Sequence, residues 1–156
     1  MTFKSALAFA IFAVAATIFS VEARANLLVN GGFDDTTGFV DQSNDTMTLA
    51  PGSTTMTGWT VITNSAAWIG PNNPFGVTGS TGSGYFLDLQ GYSDSAPYAG
   101  VQQSLSTCAT CGYQLTFYLG SDSGDGIQDS MTVTAAGQSQ TFTSTNNGTQ
   151  RNLWQQ

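Results

Sequence analysis

The stretch MTVTAAGQSQTFT, residues 131–143, decides the fold class of this chain. It contains two Thr-rich runs, Met131–Ala135 and Gln138–Thr143, on either side of the short step Ala135-Ala136-Gly137-Gln138. β-Branched residues favour strands, and a two-residue connection that contains Gly is typical of a tight hairpin turn. The stretch therefore predicts two antiparallel strands joined by a hairpin.

Similar short runs recur along the chain, separated by clusters of Gly, Asn, Asp, Ser and Pro, and no helical period occurs beyond residue 25. In one of them Tyr113, Leu115, Phe117 and Leu119 alternate with polar residues and Tyr118, which predicts a half-buried strand. The predicted strands are Leu27–Val29, Trp59–Ile62, Ala66–Ile69, Tyr85–Leu89, Gly100–Leu105, Tyr113–Leu119, Met131–Ala135, Gln138–Thr143 and Asn152–Gln156. The polar stretches Asp34–Thr57 and Gly70–Gly84 are predicted to be loops. This pattern predicts an all-β domain, a β-sandwich and most simply a jelly roll.

Residues 1–25 have the features of a secretory signal peptide. Lys4 supplies a positive start, Ala6–Phe19 is an apolar run, and Ala23-Arg24-Ala25 matches the small-x-small cleavage pattern. The apolar run is shorter than the roughly 20 residues needed to span a membrane. We therefore expect a mature chain of residues 26–156 that forms one exported domain, extracellular, at the cell surface or in a periplasm, with no membrane span.

Export implies an oxidising compartment, where cysteines pair as disulfides. The two cysteines of the chain, Cys108 and Cys111, are separated by two residues between strand-like runs. The ends of a turn lie within the distance that a disulfide accepts, so we expect these cysteines to be bonded to each other. A redox-active C-x-x-C pair is the alternative interpretation.

The charge of the chain excludes several classes of function. The full sequence has a net charge of −7 and no His, and residues 26–156 contain nine Asp against Arg151 alone, a net charge of −8. So acidic a surface repels nucleic acid and anionic lipid. The absence of His, and of Lys after residue 4, removes Ser-His-Asp catalysis, Schiff-base chemistry and His-ligated zinc. The sequence thus predicts a protein that is not an enzyme, and a glycosidase with two Asp carboxylates is the alternative.

Aromatic residues next to polar loops are candidates for binding sugars, because flat rings pack against the apolar faces of sugar rings. Trp68 precedes the loop Gly70–Pro74, whereas Tyr92 and Tyr98 lie in the polar stretch Gly91–Gly100. We therefore predict Trp68, Tyr92 and Tyr98 as carbohydrate contacts, the alternative being that they anchor their loops. Trp59 lies inside an apolar run and is predicted to belong to the core.

Five phrases in order along residues 26–156 carry a family resemblance. They are Asn26–Asp34 (NLLVNGGFD), Gly58–Val61 (GWTV), Ser83–Leu89 (SGYFLDL), Gly100–Leu105 (GVQQSL) and Tyr113–Phe117 (YQLTF). This pattern resembles domain-of-unknown-function family 642, whose members are exported domains with a galactose-binding-like jelly roll. It is also similar to carbohydrate-binding modules of the same superfamily, which begin with the same Asn-Gly-x-Phe-acid phrase.

The resemblance implies a non-catalytic domain that binds polysaccharide in a cell wall or extracellular matrix. It also implies a structural calcium ion held by Asp34, the acid that ends the first phrase, although the family usually has Glu there. The family carries a further strand with an Asp-Asn-Val-like phrase, so the jelly roll is expected to lack its last strand in this chain. A structural or adhesive surface protein with a protein partner is the alternative function.

Overall fold

The structure is a computed structural model and describes residues 26–81, 84–91, 96–121, 128–145 and 154–156. These residues form seven strands: β1 (Thr46–Leu49), β2 (Thr60–Ile62), β3 (Ala66–Ile69), β4 (Phe86–Asp88), β5 (Gly100–Gln102), β6 (Ser130–Ala135) and β7 (Gln138–Thr143). The described ranges contain no helix, and hence none long and apolar enough to cross a membrane. The predicted signal peptide lies outside them. The all-β class is confirmed.

The strands pair in three antiparallel groups, with the orders β1-β3-β4, β2-β5 and β6-β7. Strand β3 lies in the middle of its sheet, where Trp68 faces Met47 of β1 on one side and Leu87 of β4 on the other. All four residues of β3 are buried. A strand covered on both faces is a continuous apolar run, and that is what Ala66–Ile69 shows.

The core lies between the β1-β3-β4 sheet and the β2-β5 pair. Its fully buried side chains come from both of them: Leu49, Ala66 and Trp68 from the first, and Val61 from the second, together with Met56 from the connecting loop. Two antiparallel layers around one apolar core are consistent with a β-sandwich.

The predicted hairpin is confirmed at β6-β7. Its turn residues, Ala136 and Gly137, have φ angles of 50° and 77°, as a turn of this hand requires. One face of the hairpin carries three cross-strand hydroxyl pairs, Ser130–Thr143, Thr132–Thr141 and Thr134–Ser139, at 2.7–2.9 Å. On the other face Phe142 packs edge-on against Phe117, with ring centroids 5.0 Å apart.

Two predicted strands have the bounds expected, Ala66–Ile69 and Gln138–Thr143, whereas those near residues 60, 86 and 100 are shorter than predicted. The prediction of a strand at Leu27–Val29 was wrong. The backbone N–H and C=O of Val29 are bonded instead by the side-chain amide of Gln103, at 2.8 and 2.9 Å. A side chain thus takes the place that a neighbouring strand would occupy.

In two other stretches the observed secondary structure differs from the prediction. Strand β1 lies within the stretch Asp34–Thr57, predicted as a loop, and follows a turn in which Asn44 and Asp45 have positive φ angles. Tyr113–Leu119 was predicted as a strand, but no strand is assigned there, and Leu119 forms an isolated bridge to Gln155. Of the predicted strand Asn152–Gln156, residues 152 and 153 lie outside the described ranges.

Candidate functional site

Trp68, predicted as a sugar contact at an exposed rim, is completely buried, with 0% of its surface exposed. Its indole N–H donates to the carbonyl oxygen of Phe33 at 3.2 Å, and its ring packs edge-on against Phe39 and Tyr85. A side chain with no exposed surface cannot stack on a sugar, so this prediction was wrong. The cause is the central place of β3, which depends on β1, a strand that the sequence pattern did not indicate.

Trp59 packs against the core, as predicted, and is partly buried. Its indole N–H donates to the carbonyl oxygen of Asn30 at 3.0 Å, and its ring lies 5.6 Å from that of Phe33. Trp59 and Trp68 therefore both donate hydrogen bonds to the loop of residues 30–33, where Asn30 and Phe33 have φ angles of 51° and 61°. The two tryptophans hold the N-terminal loop against the sandwich.

Tyr98 is exposed, as a sugar contact must be, with 47% of its surface accessible, whereas Tyr92 lies outside the described residues. The backbone is fixed on both sides of Tyr98. The side-chain amide of Asn64 donates to the carbonyl oxygen of Pro97 at 2.8 Å. The backbone N–H of Ala99 donates to the carbonyl oxygen of Leu89, also at 2.8 Å. The backbone that carries the Tyr98 side chain is thus held in place by hydrogen bonds on both sides.

Tyr98 precedes β5 by two residues, and β5 pairs with β2. Val61 of β2 faces Val101 of β5 and is buried, so alternation puts Thr60, Ile62 and Gln102 on the outer face. Ile62 lies opposite Gly100, where an added Cβ would be 3.0 Å from the Ile62 side chain. This outer face combines an aliphatic side chain with uncharged polar groups, and the exposed Tyr98 lies two residues before it in the chain.

A shallow groove of about 350 Å³ lies elsewhere on the surface and was missed by the sequence analysis. Its lining combines apolar side chains with neutral polar groups and has no charge: Leu27, Val29, Gly58, Gln103, Ser104, Leu105 and Ser106. Gly58, with φ at 82°, allows Val29 to approach, since an added Cβ would be 2.9 Å from that of Val29. Because three distant segments form the groove, no local signal marks it.

Asp34, the predicted calcium ligand, is exposed, and its Oδ1 lies 3.5 Å from the hydroxyl oxygen of Thr81. Calcium takes six to eight oxygen ligands. The nearby carbonyl oxygens of Asn30 and Phe33 already accept the tryptophan N–H groups. Nowhere in the described ranges do three Asp, Glu, His or Cys side chains form a group that could hold a metal. Binding of calcium at Asp34 stays a prediction.

Two carboxylates of the described loops, those of Asp35 and Asp45, accept hydrogen bonds. The Asp35 carboxylate accepts hydrogen bonds from the Thr37 hydroxyl, the Thr57 side chain and the Thr37 backbone N–H. These bonds hold the pKa of the Asp35 carboxyl below its usual value of 3.8. Asp45 accepts the backbone N–H of Asn72 at 2.6 Å. Burial and the neighbouring charge of Asp45 together raise the pKa of the Tyr85 phenol. Asp35 thus bonds within its own turn, whereas Asp45 joins the turn before β1 to the loop after β3.

The predicted disulfide between Cys108 and Cys111 is confirmed, with the two Cα atoms 5.4 Å apart. The turn is closed by a hydrogen bond from the N–H of Cys111 to the carbonyl oxygen of Cys108 at 3.4 Å. The N–H of Cys108 in turn donates to the hydroxyl oxygen of Tyr113 at 2.6 Å. The bridge therefore fixes the start of the segment that follows it.

Comparison of the chain with protein-family models, curated proteins and solved structures gave no match. The resemblance to family 642 therefore depends on the five sequence phrases, and the candidate site on the geometry of Tyr98 and its neighbours.

Proposed function

We propose that this chain is an exported, non-catalytic domain that binds neutral polysaccharide of a cell wall or extracellular matrix. The observation that carries the proposal is the half-exposed ring of Tyr98, two residues before the strand β5, whose outer face with β2 is uncharged. The proposed fold is the galactose-binding-like jelly roll of family 642, to which the two-layer antiparallel core is suited.

The chemistry of this face suits a neutral sugar. The ring of Tyr98 offers a flat apolar surface for the C–H face of a pyranose, and Thr60 and Gln102 offer polar groups for its hydroxyls. The hydrogen bonds from Asn64 and Ala99 hold the backbone on both sides of Tyr98, which reduces the entropy lost on binding. The acidic charge of the rest of the chain disfavours anionic polymers.

The proposal includes the structural calcium ion that the resemblance implies. Its support is the exposed Asp34 carboxylate, since calcium takes carboxylate oxygens as ligands. When bound, the ion would add stability to the N-terminal loop and take no part in a reaction.

Retention on insoluble cellulose, pectin and galactan particles tests the polysaccharide proposal. We expect the wild-type chain to be retained on at least one of them, and Tyr98→Ala to weaken retention about fivefold or more, equivalent to about 1 kcal/mol. Tyr98→Phe keeps the ring and should keep most of the affinity. Phe75→Ala, which removes an exposed aromatic from the loop between β3 and β4, should leave retention unchanged.

Two results would contradict the proposal. Wild-type protein that is retained on none of the particles would favour the alternative of a protein partner. Release of new reducing ends from the particles would instead indicate a hydrolase that uses paired Asp carboxylates.

A further inference from the structure

The connection between β2 and β3 contains a strained residue, Thr63. Its φ angle is 70°, and the backbone N–H of Asn64 donates to the carbonyl oxygen of Ile62 at 2.9 Å. A hydrogen bond between residues two apart, around a central residue of positive φ, defines a γ-turn that is rare and strained. A positive φ is most unusual for a β-branched side chain, and strained residues of this kind cluster at binding sites and switches. The turn at Thr63 is therefore a candidate for a function.

The turn presents the side chain of Thr63 to solvent. Val61 of β2 is buried, so strict alternation would place residue 63 on the core side as well. The turn interrupts the alternation, and Thr63 is exposed instead. Among the residues that the structure describes, its hydroxyl has no hydrogen-bond partner. By contrast Phe33, which also has a positive φ angle, packs against Trp59 and accepts the indole N–H of Trp68. The Thr63 hydroxyl is thus available to a ligand.

The turn is joined to the backbone that carries Tyr98. The residue before Thr63, Ile62, pairs with Gly100 at the end of the β2-β5 ladder. The residue after Thr63 donates its side-chain amide to the carbonyl oxygen of Pro97 at 2.8 Å. The two neighbours of Thr63 therefore contact the chain on both sides of Tyr98. The free hydroxyl of Thr63 and the half-exposed ring of Tyr98 lie on adjacent backbone segments that hydrogen bonds hold together.

We propose that Thr63 is a further contact of the sugar site, and that its hydroxyl bonds a hydroxyl of the pyranose that stacks on Tyr98. This inference rests on the proposed function and adds to it a residue that selects the ligand. A Thr hydroxyl both donates and accepts, so it suits a sugar hydroxyl in either sense. The strained turn fixes the backbone of Thr63 before the ligand arrives, which reduces the freedom lost on binding. The preferred ligand is a neutral polysaccharide with a free ring hydroxyl beside its stacked face.

Affinity for cellulose, pectin and galactan particles, measured together with the Tm of each variant, tests this contact. Thr63→Val keeps the size and the branching of the side chain and removes only the hydroxyl. Its affinity for the particles that retain the wild-type chain should fall at least about threefold, as expected for the loss of one hydrogen bond. Thr63→Ser keeps the hydroxyl and should keep most of the affinity.

Thr63→Gly separates binding from folding. Gly adopts a positive φ angle without strain, so the Tm of this variant should rise, whereas its affinity should fall at least about threefold because the hydroxyl is gone. A turn with a purely structural role would show the higher Tm and an unchanged affinity. Thr48→Val is the matched control, because it makes the same change at an exposed Thr of β1, in the other layer. Its affinity should stay within about twofold of the wild-type value.

Several results would overturn this contact. If Tyr98→Ala weakens retention and Thr63→Val does not, the contact is wrong and the proposed function stands. An equal loss of affinity in Thr48→Val and Thr63→Val would show that the effect is not specific to the turn. A lower Tm in Thr63→Gly would show that the turn is not strained and would remove the reason for the inference. Wild-type protein retained on none of the particles would overturn the proposed function and this contact with it.

Discussion

Single side chains hold the N-terminal loop of this protein in place. The carbonyl oxygens of Asn30 and Phe33 accept the indole N–H groups of Trp59 and Trp68, and the side-chain oxygen of Asn30 accepts the backbone N–H of Asp35 at 2.9 Å. Asn30 and Phe33 both have positive φ angles, which costs free energy for residues other than Gly. The loop conformation therefore depends on contacts with tryptophans distant in sequence.

Trp68→Ala should destabilise the fold by about 3–5 kcal/mol, because it removes a completely buried aromatic side chain and leaves the Phe33 carbonyl oxygen without its donor. Trp68→Phe should cost less, since it keeps part of the packing. Tyr98→Ala, at an exposed position, should change stability by no more than about 0.5 kcal/mol. Urea unfolding of the three variants measures these differences, and equal losses at Trp68 and Tyr98 would contradict the core described above.

Asp35 should make stability depend on acid pH. Hydrogen bonds from the Thr37 hydroxyl, the Thr57 side chain and the Thr37 N–H keep the pKa of its carboxyl below 3.8 in the folded chain. A lowered folded pKa contributes stability above the unfolded value, and that contribution is lost as the pH falls through the folded value. Asp35→Asn should therefore lower the Tm near pH 7 and differ little from wild type near pH 2. Melting curves at both pH values test this, and a Tm difference that is the same at both would refute it.

Among the elements, the β6-β7 hairpin has the clearest local determinants. Six residues of each strand pair in register, and hydroxyl pairs join the strands along one face. The turn places Ala136 at a φ of 50°, a conformation that residues other than Gly, Asn and Asp seldom adopt. The turn backbone is therefore strained at Ala136, and a substitution there can change the free energy of unfolding.

Ala136→Asn should stabilise the chain by about 0.5–1 kcal/mol, because Asn tolerates the left-handed region and Asn-Gly is the preferred pair for this turn. Gly137→Ala should have the opposite effect and destabilise by about 1 kcal/mol, since it places a Cβ at a φ of 77°. Opposite shifts in Tm for the two variants would support the left-handed backbone conformation of both turn residues. Shifts of the same sign would contradict that conformation.

For the whole molecule, acidity and the proposed calcium ion are linked, because a bound cation would offset part of a net charge of −8 over residues 26–156. We expect calcium to raise the Tm. A ligand that binds only the folded state adds about 2.7 kcal/mol at a hundredfold excess over its Kd. Asp34→Asn should abolish the rise, and Asp41→Asn, at another exposed acid, should leave it intact.

Thermal melting with calcium and with a chelator measures this effect. Identical wild-type curves in the two conditions would show that the resemblance does not extend to the metal. Equal responses of the Asp34 and Asp41 variants would show that calcium acts on the overall charge and not at a site.

The sequence by itself determined the features that depend on neighbouring residues. Thr-rich runs around Ala136-Gly137 indicated the hairpin, the buried run Ala66–Ile69 indicated β3, and the spacing of Cys108 and Cys111 indicated the disulfide. Strand propensity, turn conformation and short loop closure all act within a few residues, so a local pattern is enough to predict them. The exposure of Tyr98 in a polar stretch belongs to the same group.

Only the tertiary structure decided which residues face each other across long separations. Trp68 is buried because β1 and β4 flank β3, and Leu27–Val29 is not a strand because the Gln103 amide bonds the backbone of Val29. The same holds for residues 113–118, whose alternating pattern predicts a half-buried strand that no described sheet covers. A period of two shows that one side of a segment is apolar. Which surface meets that side depends on the packing of distant segments, which local periodicity does not encode.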